Sequence, residues 1–223
     1  MALGEDQEVV GQKITGGKEA LELIRRAGLR VLRTEEAEDE NRAVALAGEM
    51  GYPVALKMAG AEHKTELGGV KVPLKDAEEV REAFRELREI QPAGPLLVQE
   101  VGQGFEAFVG AIRDPLFGPV VAFGLGGIFV EVLGNVSFRL LPIERRDIEE
   151  MLTELRAGFL LHGARGYRVK FSVLEELLIG VSSFVLQTPW IGELDLNPVF
   201  LSEDGYRVCD ARIRGLREGP PGG

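Results

Sequence analysis

Between Gly192 and Pro198 the chain reads Gly-Glu-Leu-Asp-Leu-Asn-Pro, and this alternation constrains the fold more than any other segment. A period of two marks a strand with one buried face. Leu194 and Leu196 then face a core, and Glu193, Asp195 and Asn197 share the opposite side. The segment turns at Ser202-Glu-Asp-Gly205 and returns through Asp210, so a hairpin is expected over 191–201 and 206–213. If those four residues form the loop, Leu201 pairs with Tyr206. Counting back sets Asn197 against Asp210, at the roughly 4.5–5.5 Å of direct cross-strand partners. A turn centred on Asp204-Gly205 makes the two diagonal neighbours, still on one face. Two or three hard oxygen donors on a sheet face suit Mg²⁺, which keeps waters and shares its remaining positions with phosphate oxygens. The solvent face of an ordinary edge hairpin has the same pattern, so this segment alone leaves both readings open.

Ahead of the hairpin the chain divides into two parts. In the first, Gly17–Gly28 reads as a helix through Leu21 and Ile24, followed by a strand at 29–33. A helix at 38–50, strands at 53–57 and 68–74, and a helix at 77–90 capped by Asp76 complete it. The second part is strand-rich. Runs at 96–101, 107–113, 119–123, 128–133 and 136–141 are separated by Gly or Asp-Pro signals. Helices at about 145–157 and 171–187 precede the hairpin. Residues 1–13 show no periodicity and 216–223 are rich in Gly and Pro, so both are expected as tails. The domain expectation is a tail at 1–13, a mixed α/β subdomain at 14–95, a second subdomain at 96–215 and a frayed tail at 216–223.

Composition narrows the partners. The 223 residues carry a formal net charge of −10, which argues against a broad nucleic-acid-binding face, since phosphate contacts need clustered Lys and Arg. A small phosphorylated ligand needs only a few local cations and a metal. No apolar run reaches the length of a membrane span, and the acidic N-terminus lacks the basic and apolar parts of a signal peptide. The one cysteine, Cys209, cannot form an internal disulfide, so cytoplasmic residence is expected.

Several other residues carry candidate chemistry, each with an ordinary structural alternative. Lys57 ends a strand before a loop, where a lysine can reach a phosphate as a point charge or simply be solvated. Gly68-Gly69 can let a backbone approach a ligand closely, or make a plain turn. Gly124-Leu-Gly-Gly127 is neither a dinucleotide fingerprint nor a Walker A loop, because a strand follows and no Gly-Lys-Ser/Thr appears. His63 and His162 are the only histidines. A neutral imidazole is a competent nucleophile toward phosphorus, whereas most loop histidines are merely exposed. Glu131 and Arg139 flank the Gly134-Asn135 turn, as balanced surface charges or as groups aimed at metal and phosphate.

Taken in order, Gly51–Lys57, His63–Val70, Arg113–Leu133, Val136–Arg139 and Glu193–Val199 resemble one family. It is the ATP-grasp (β) subunit of ADP-forming acetyl-CoA and acyl-CoA synthetases, related to the β chain of succinyl-CoA synthetase. The resemblance covers roughly residues 14–214 and is most specific at 113–133. It implies an ATP-grasp fold: α/β (α+β), with two α/β subdomains and the nucleotide between them. It also implies an acid–CoA ligase activity shared with a CoA-binding α subunit that carries a first phosphohistidine, in a hetero-oligomer. The net reaction would be acyl-CoA + ADP + phosphate ⇌ acid + CoA + ATP. By position, Lys57 would contact the nucleotide phosphates under a Gly68-Gly69 loop. Backbone near Gln99, Glu100 and Val101 would meet adenine, and Glu106 the ribose. Asn197 and Asp210 would hold Mg²⁺. His63 would be the second phosphohistidine, with Asp195 beside it, and Arg139 and Glu131 would serve phosphate and metal. Met58–Glu62 is about two residues shorter than that family's spacing. Two other functions fit the same residues: a self-contained ATP-grasp carboxylate–amine ligase, and a non-catalytic nucleotide-sensing domain.

Overall fold

The computed structural model describes residues 7–9, 12–59, 68–126, 136–163 and 168–216. Contacts divide the chain into two units, one spanning Leu32–Gly102 and the other formed by the chain up to Val31 and from Gln103 onward.

The Leu32–Gly102 unit is a four-stranded antiparallel sheet backed by two helices. Its elements are β3 (Thr34–Ala37), α2 (Glu40–Met50), β4 (Val54–Met58), β5 (Val70–Leu74), α3 (Ala77–Ile90) and β6 (Leu96–Glu100), in the sheet order β3-β6-β4-β5. Both helices start where an aspartate offers an acceptor to the otherwise unpaired first amides. Asp39 accepts from Arg42 N–H at 2.8 Å, and Asp76 Oδ1 accepts from Glu78 and Glu79 N–H at 2.9 Å each. Val54, Leu56 and Met58 alternate onto the helix side, where they pack with Leu46, Val80, Phe84 and Leu87. Ala55 and Lys57 therefore lie on the other face of β4.

The other unit is built on a larger antiparallel sheet. Its strands are β1 (Gln7–Val9), β2 (Gln12–Gly16), β7 (Phe105–Asp114), β8 (Gly118–Leu125), β9 (Val136–Leu140), β10 (Ile191–Ser202), β11 (Gly205–Val208) and β12 (Ala211–Gly215). They run in the order β1-β2-β12-β10-β7-β8-β9, with β11 paired to β10. Helices α1 (Gly17–Arg26), α4 (Arg145–Glu154), α5 (Gly158–His162) and α6 (Phe171–Gln187) share one core with one sheet face. That face is a set of every-other residues: Val109 and Ala111, Val121 and Phe123, Leu194 and Leu196, Ala211 and Ile213. Leu196 is fully buried, and trimming such a leucine to alanine costs about 2–5 kcal/mol. A one-residue slip would bury Asp195 and Asn197 instead, so this core pins the register of β10.

Four expectations change. The strand expected at 29–33 is β3 at Thr34–Ala37, and Val31 contributes only a single bridge to Val208. The segment 1–13 is partly strand, because β1 and β2 pair by backbone bonds that need no hydrophobic period. The helix expected at 145–157 stops at Glu154, followed by Arg156 at a positive φ of 51° and the separate α5. The expected division at 95/96 falls instead at 31/32 and 102/103. β6 pairs with β3 and β4 and belongs with them, whereas α1 packs on the larger sheet. The strand expected at 128–133 lies outside the described residues.

Candidate functional site

Of the two registers that the turn left open, the hairpin has the one that sets Leu201 against Tyr206. Leu201 pairs with Tyr206, Ser202 pairs with Gly205, and the turn itself is Glu203-Asp204. Ser202 Oγ donates to Gly205 O at 3.0 Å. The same register continues into β12, where Leu196 pairs with Ala211 and Asp195 with Arg212. Asn197 consequently sits opposite Asp210. Asn197 N–H donates to Asp210 O at 3.2 Å and Cys209 N–H to Pro198 O at 3.0 Å, which carries the ladder across the gap between β11 and β12.

On its other side β10 departs from regularity where the polar pair sits. Leu196 opposes Val109 and Val199 opposes Ala107, so Asn197 and Pro198 together face Phe108. This is a β-bulge, a device that re-aims a side chain and locally releases ladder bonds. A proline is tolerated there because its missing N–H is not required. Asn197 is exposed and Asp210 half-buried. One oxygen of Asp210, Oδ1, accepts from Ala211 N–H at 3.0 Å, which fixes the carboxylate.

Two further rows continue along this face. Asp195 stands opposite Arg212, and Glu193 opposite Arg214. Arg214 Nη1 donates to Glu193 at 3.2 Å. Burial pushes the Asp195 carboxyl above the usual carboxylate range; Glu193 and Asp210 add to the shift, and Arg212 and Arg214 oppose it. The face is thus a strip of paired charges ending in an amide–carboxylate pair. Among the described residues no group of three or more His, Cys, Asp or Glu side chains converges on one point. The Asn197 and Asp210 side chains offer oxygens of the hard type that Mg²⁺ takes. Arg212 and Arg214 did not stand out in the sequence reading. The signal was there, since Asp210-Ala-Arg212-Ile-Arg214 repeats the alternation of 193–197 on the returning strand.

Nearby glycines hold backbones close together. Gly126 N–H donates to Glu106 O at 2.7 Å, and a Cβ on Gly126 would lie 2.8 Å from that oxygen. Glu106 is exposed and pairs across with Phe200.

The Leu32–Gly102 unit carries the remaining candidates. Lys57 is buried in β4, between Val70 on β5 and Leu97 on β6. Met58 N–H donates to Gly69 O at 2.9 Å, which ties the glycine pair to the lysine's strand end, and Gly68 has a φ of 70°. Gln99 is buried, and its amide donates to Thr34 Oγ1 at 2.7 Å, so its side chain belongs to the interior. Glu100 accepts from Arg33 N–H at 3.0 Å through its carboxylate, and its own N–H donates to Arg33 O at 3.1 Å. Val101 follows immediately, past the end of β6. His63 and Glu131 lie outside the described residues.

Arg139 is corrected. On β9 it pairs with Val121, whose side chain is in the helix-side core, while Phe138 is in register with Ala122, Gly110 and Asp195. Arg139 therefore points to the helix side, away from the face of Asp195, Asn197 and Asp210. There it donates to Glu154 at 2.7 Å and Glu150 at 3.4 Å from Nη2, and Ser137 Oγ also contacts Glu154. These acidic partners on α4 make it a link between β9 and α4.

No helix among the described residues is long and apolar enough to cross a membrane. A model of the ATP-grasp domain family matches residues 8–214. The β subunit of acetate–CoA ligase [ADP-forming] I from Pyrococcus furiosus is 42% identical over 206 residues, covering 87% of this chain and 89% of that one. The dinucleotide-forming acetyl-coenzyme A synthetase 1 of Ca. Korarchaeum cryptofilum, solved with coenzyme A, Ca-AMPCP and HgCl⁺, superposes with a TM-score of 0.84 at 39% identity, over 91% of this chain and 93% of that one. Its form with coenzyme A and Mg-AMPPCP, with the phosphohistidine segment pointing towards the nucleotide-binding site, has a TM-score of 0.77 at 41% identity, over 89% and 91%. A model matched over nearly the whole described chain, and relatives matched over nearly their own full length, leave one assignment: the chain belongs to the ATP-grasp domain family, among the β subunits of ADP-forming acetate–CoA ligases.

Proposed function

We propose that this chain is the nucleotide-binding subunit of an ADP-forming acyl-CoA synthetase, working in the cytoplasm with a CoA-binding α subunit. The observation that carries the reading is the opposition of Asn197 and Asp210 at a bulge on an open sheet face, in a chain that matches such β subunits nearly end to end. The enzyme would interconvert acyl-CoA, ADP and phosphate with acid, CoA and ATP.

Asn197 and Asp210 would hold Mg²⁺. When bound, the ion neutralises charge on the nucleotide phosphates and aligns them for in-line attack. Lys57 would contact nucleotide phosphates, with the Gly68-Gly69 backbone close against them. Backbone at Val101, beside Gln99 and Glu100, would receive the base, and Glu106 the ribose. In the ATP-consuming direction an imidazole nitrogen of His63 attacks the γ-phosphorus. The N–P bond forms, the bond to the bridging oxygen breaks, and ADP leaves. The phosphoryl group then passes to the histidine of the α subunit. Asp195, opposite Arg212 across the strands, would accept a hydrogen bond from the other imidazole nitrogen and orient the ring.

The test uses the chain with its α subunit and ATP labelled at the γ-phosphate. The expected result is acid-labile label on this chain, absent in His63→Ala, with Mg·ADP binding retained. Label that persists in His63→Ala, or ATP synthesis with no label passing through this chain, overturns the relay.

A further inference from the structure

The larger sheet has a helix-covered face and an open one, and the open face changes character along its width. At β10 and β12 it is charged. At β7, β8 and β9 it is apolar. Ile112 is in register with Val120, and Val120 with Leu140; Phe138 lies two residues from Leu140 on the same side. The β7–β8 turn adds Leu116 and Phe117. Ile112, Phe138 and Leu140 are 49%, 57% and 55% exposed, and Leu116 and Phe117 85% and 70%. Single exposed apolar residues are ordinary, but a contiguous set marks an interaction surface.

Its size fits a subunit contact. A fully buried aromatic covers about 150–250 Å², so these partial exposures sum to on the order of 500 Å². A standard interface buries roughly 800 Å² per partner, so the patch would be its dry centre, with a polar rim around it. The turn is already ordered: Asp114 Oδ1 accepts from Leu116 and Phe117 N–H at 2.8 and 2.9 Å. Presenting pre-organised apolar groups lowers the entropy lost on binding.

Net charge disfavours a second copy as the occupant. The border of the patch carries Asp114, Glu193 and Asp195, with Glu193 bonded to Arg214 and Asp195 opposite Arg212, so it is polar and mixed in charge. The chain as a whole has a net charge of −10, so a second copy would oppose like charges. Position selects the occupant. The patch shares its face with Asp195, Asn197 and Asp210, and Phe138 lies in the row of Asp195. A chain seated here reaches Asp195 without leaving the face.

We propose that the open face of β7–β8–β9, centred on Ile112, Phe138 and Leu140, is the docking surface for the CoA-binding α subunit, which meets it with an apolar surface and a polar rim. This rests on the subunit reading above.

The test is sedimentation velocity of the full chain with its CoA-binding α chain, comparing wild type with the double variant Ile112→Asp/Phe138→Asp. Calorimetry with Mg·ADP runs alongside. The expected result is at least about tenfold weaker assembly in the variant, as for the loss of interface hot spots, with unchanged Mg·ADP affinity. Wild-type assembly in a variant that binds Mg·ADP overturns the proposal. If the variant loses nucleotide binding as well, hydrogen exchange on the wild type decides: residues 110–120 and 136–140 must gain protection on adding the α chain, and unchanged exchange there overturns it. Wild type that self-associates through the patch names a second copy as the occupant and also overturns it. Wild type that binds Mg·ADP but assembles with no α chain removes the subunit reading itself.

Discussion

Gly104 opens β7 beside the end of β10, and replacing it with alanine should loosen the strand that carries Asn197. Its φ is 131°, a region that L side chains rarely adopt, and an added Cβ would lie 2.3 Å from Leu201 O and 2.8 Å from Leu201 C. The neighbour is backbone, so the clash cannot be relieved by a rotamer change. The conformational penalty is roughly 1–2 kcal/mol and the overpacking about 1–3 kcal/mol, a total of roughly 2–5 kcal/mol. For a chain of this size about 1 kcal/mol moves the melting temperature by roughly 2–4 °C, so Gly104→Ala should melt roughly 4–20 °C below wild type in scanning calorimetry. Gly28→Ala is the matched control in the same unit. Its φ is 92° and no atom lies within 4 Å of the added Cβ, so it bears only the conformational penalty. If Gly28→Ala melts at or below Gly104→Ala, the close approach of β7 to Leu201 is not what the glycine is there for.

Two more outcomes follow from the charges. Asp195→Asn should raise the melting temperature at neutral pH while impairing phosphoryl transfer. Burial holds the native carboxyl above its unfolded pKa, so its contribution to stability is present below the unfolded value and lost as pH rises through the folded one; the gain of the variant over wild type should therefore fade in acid. Arg139→Met should lower the melting temperature at pH 7. The Arg139 guanidinium holds the Glu154 carboxyl below its ordinary range, so that stabilisation is present above the unfolded pKa and disappears as pH falls; melts recorded from neutral pH to below about pH 4 should converge with wild type.

The legible parts of the fold were those where periodicity and end signals agreed. Asp76 with Val80, Phe84 and Leu87 gave the bounds of α3 to the residue, and the alternation at 193–197 with the Ser202–Gly205 turn put Asn197 and Asp210 on one face, with the choice between direct and diagonal opposition left open. The pairing of β1 with β2 was invisible because edge strands are held by backbone bonds, which leave no pattern in the side chains. The unit boundary was missed because β6 follows α3 in sequence yet fills the middle of the smaller sheet, a long-range pairing. Arg139 was misread because its side of the sheet depends on the register of β9 against β8 and β10, which no local pattern encodes. Arg212 and Arg214 were overlooked for the opposite reason, since their alternation is local but short.

Calorimetric titration of ADP and ATP into the isolated chain, with and without Mg²⁺, in wild type, Asn197→Ala, Asp210→Asn and Arg139→Met tests the nucleotide site most directly. Outer-shell changes around a metal typically cost 10–100-fold in affinity, so removing either proposed ligand should weaken the Mg²⁺-dependent binding by roughly tenfold or more. Metal-free binding should change little in those two variants, and Arg139→Met should match wild type in both conditions. Binding that is indifferent to Mg²⁺, or lost in Arg139→Met and kept in Asn197→Ala and Asp210→Asn, would contradict the site assignment.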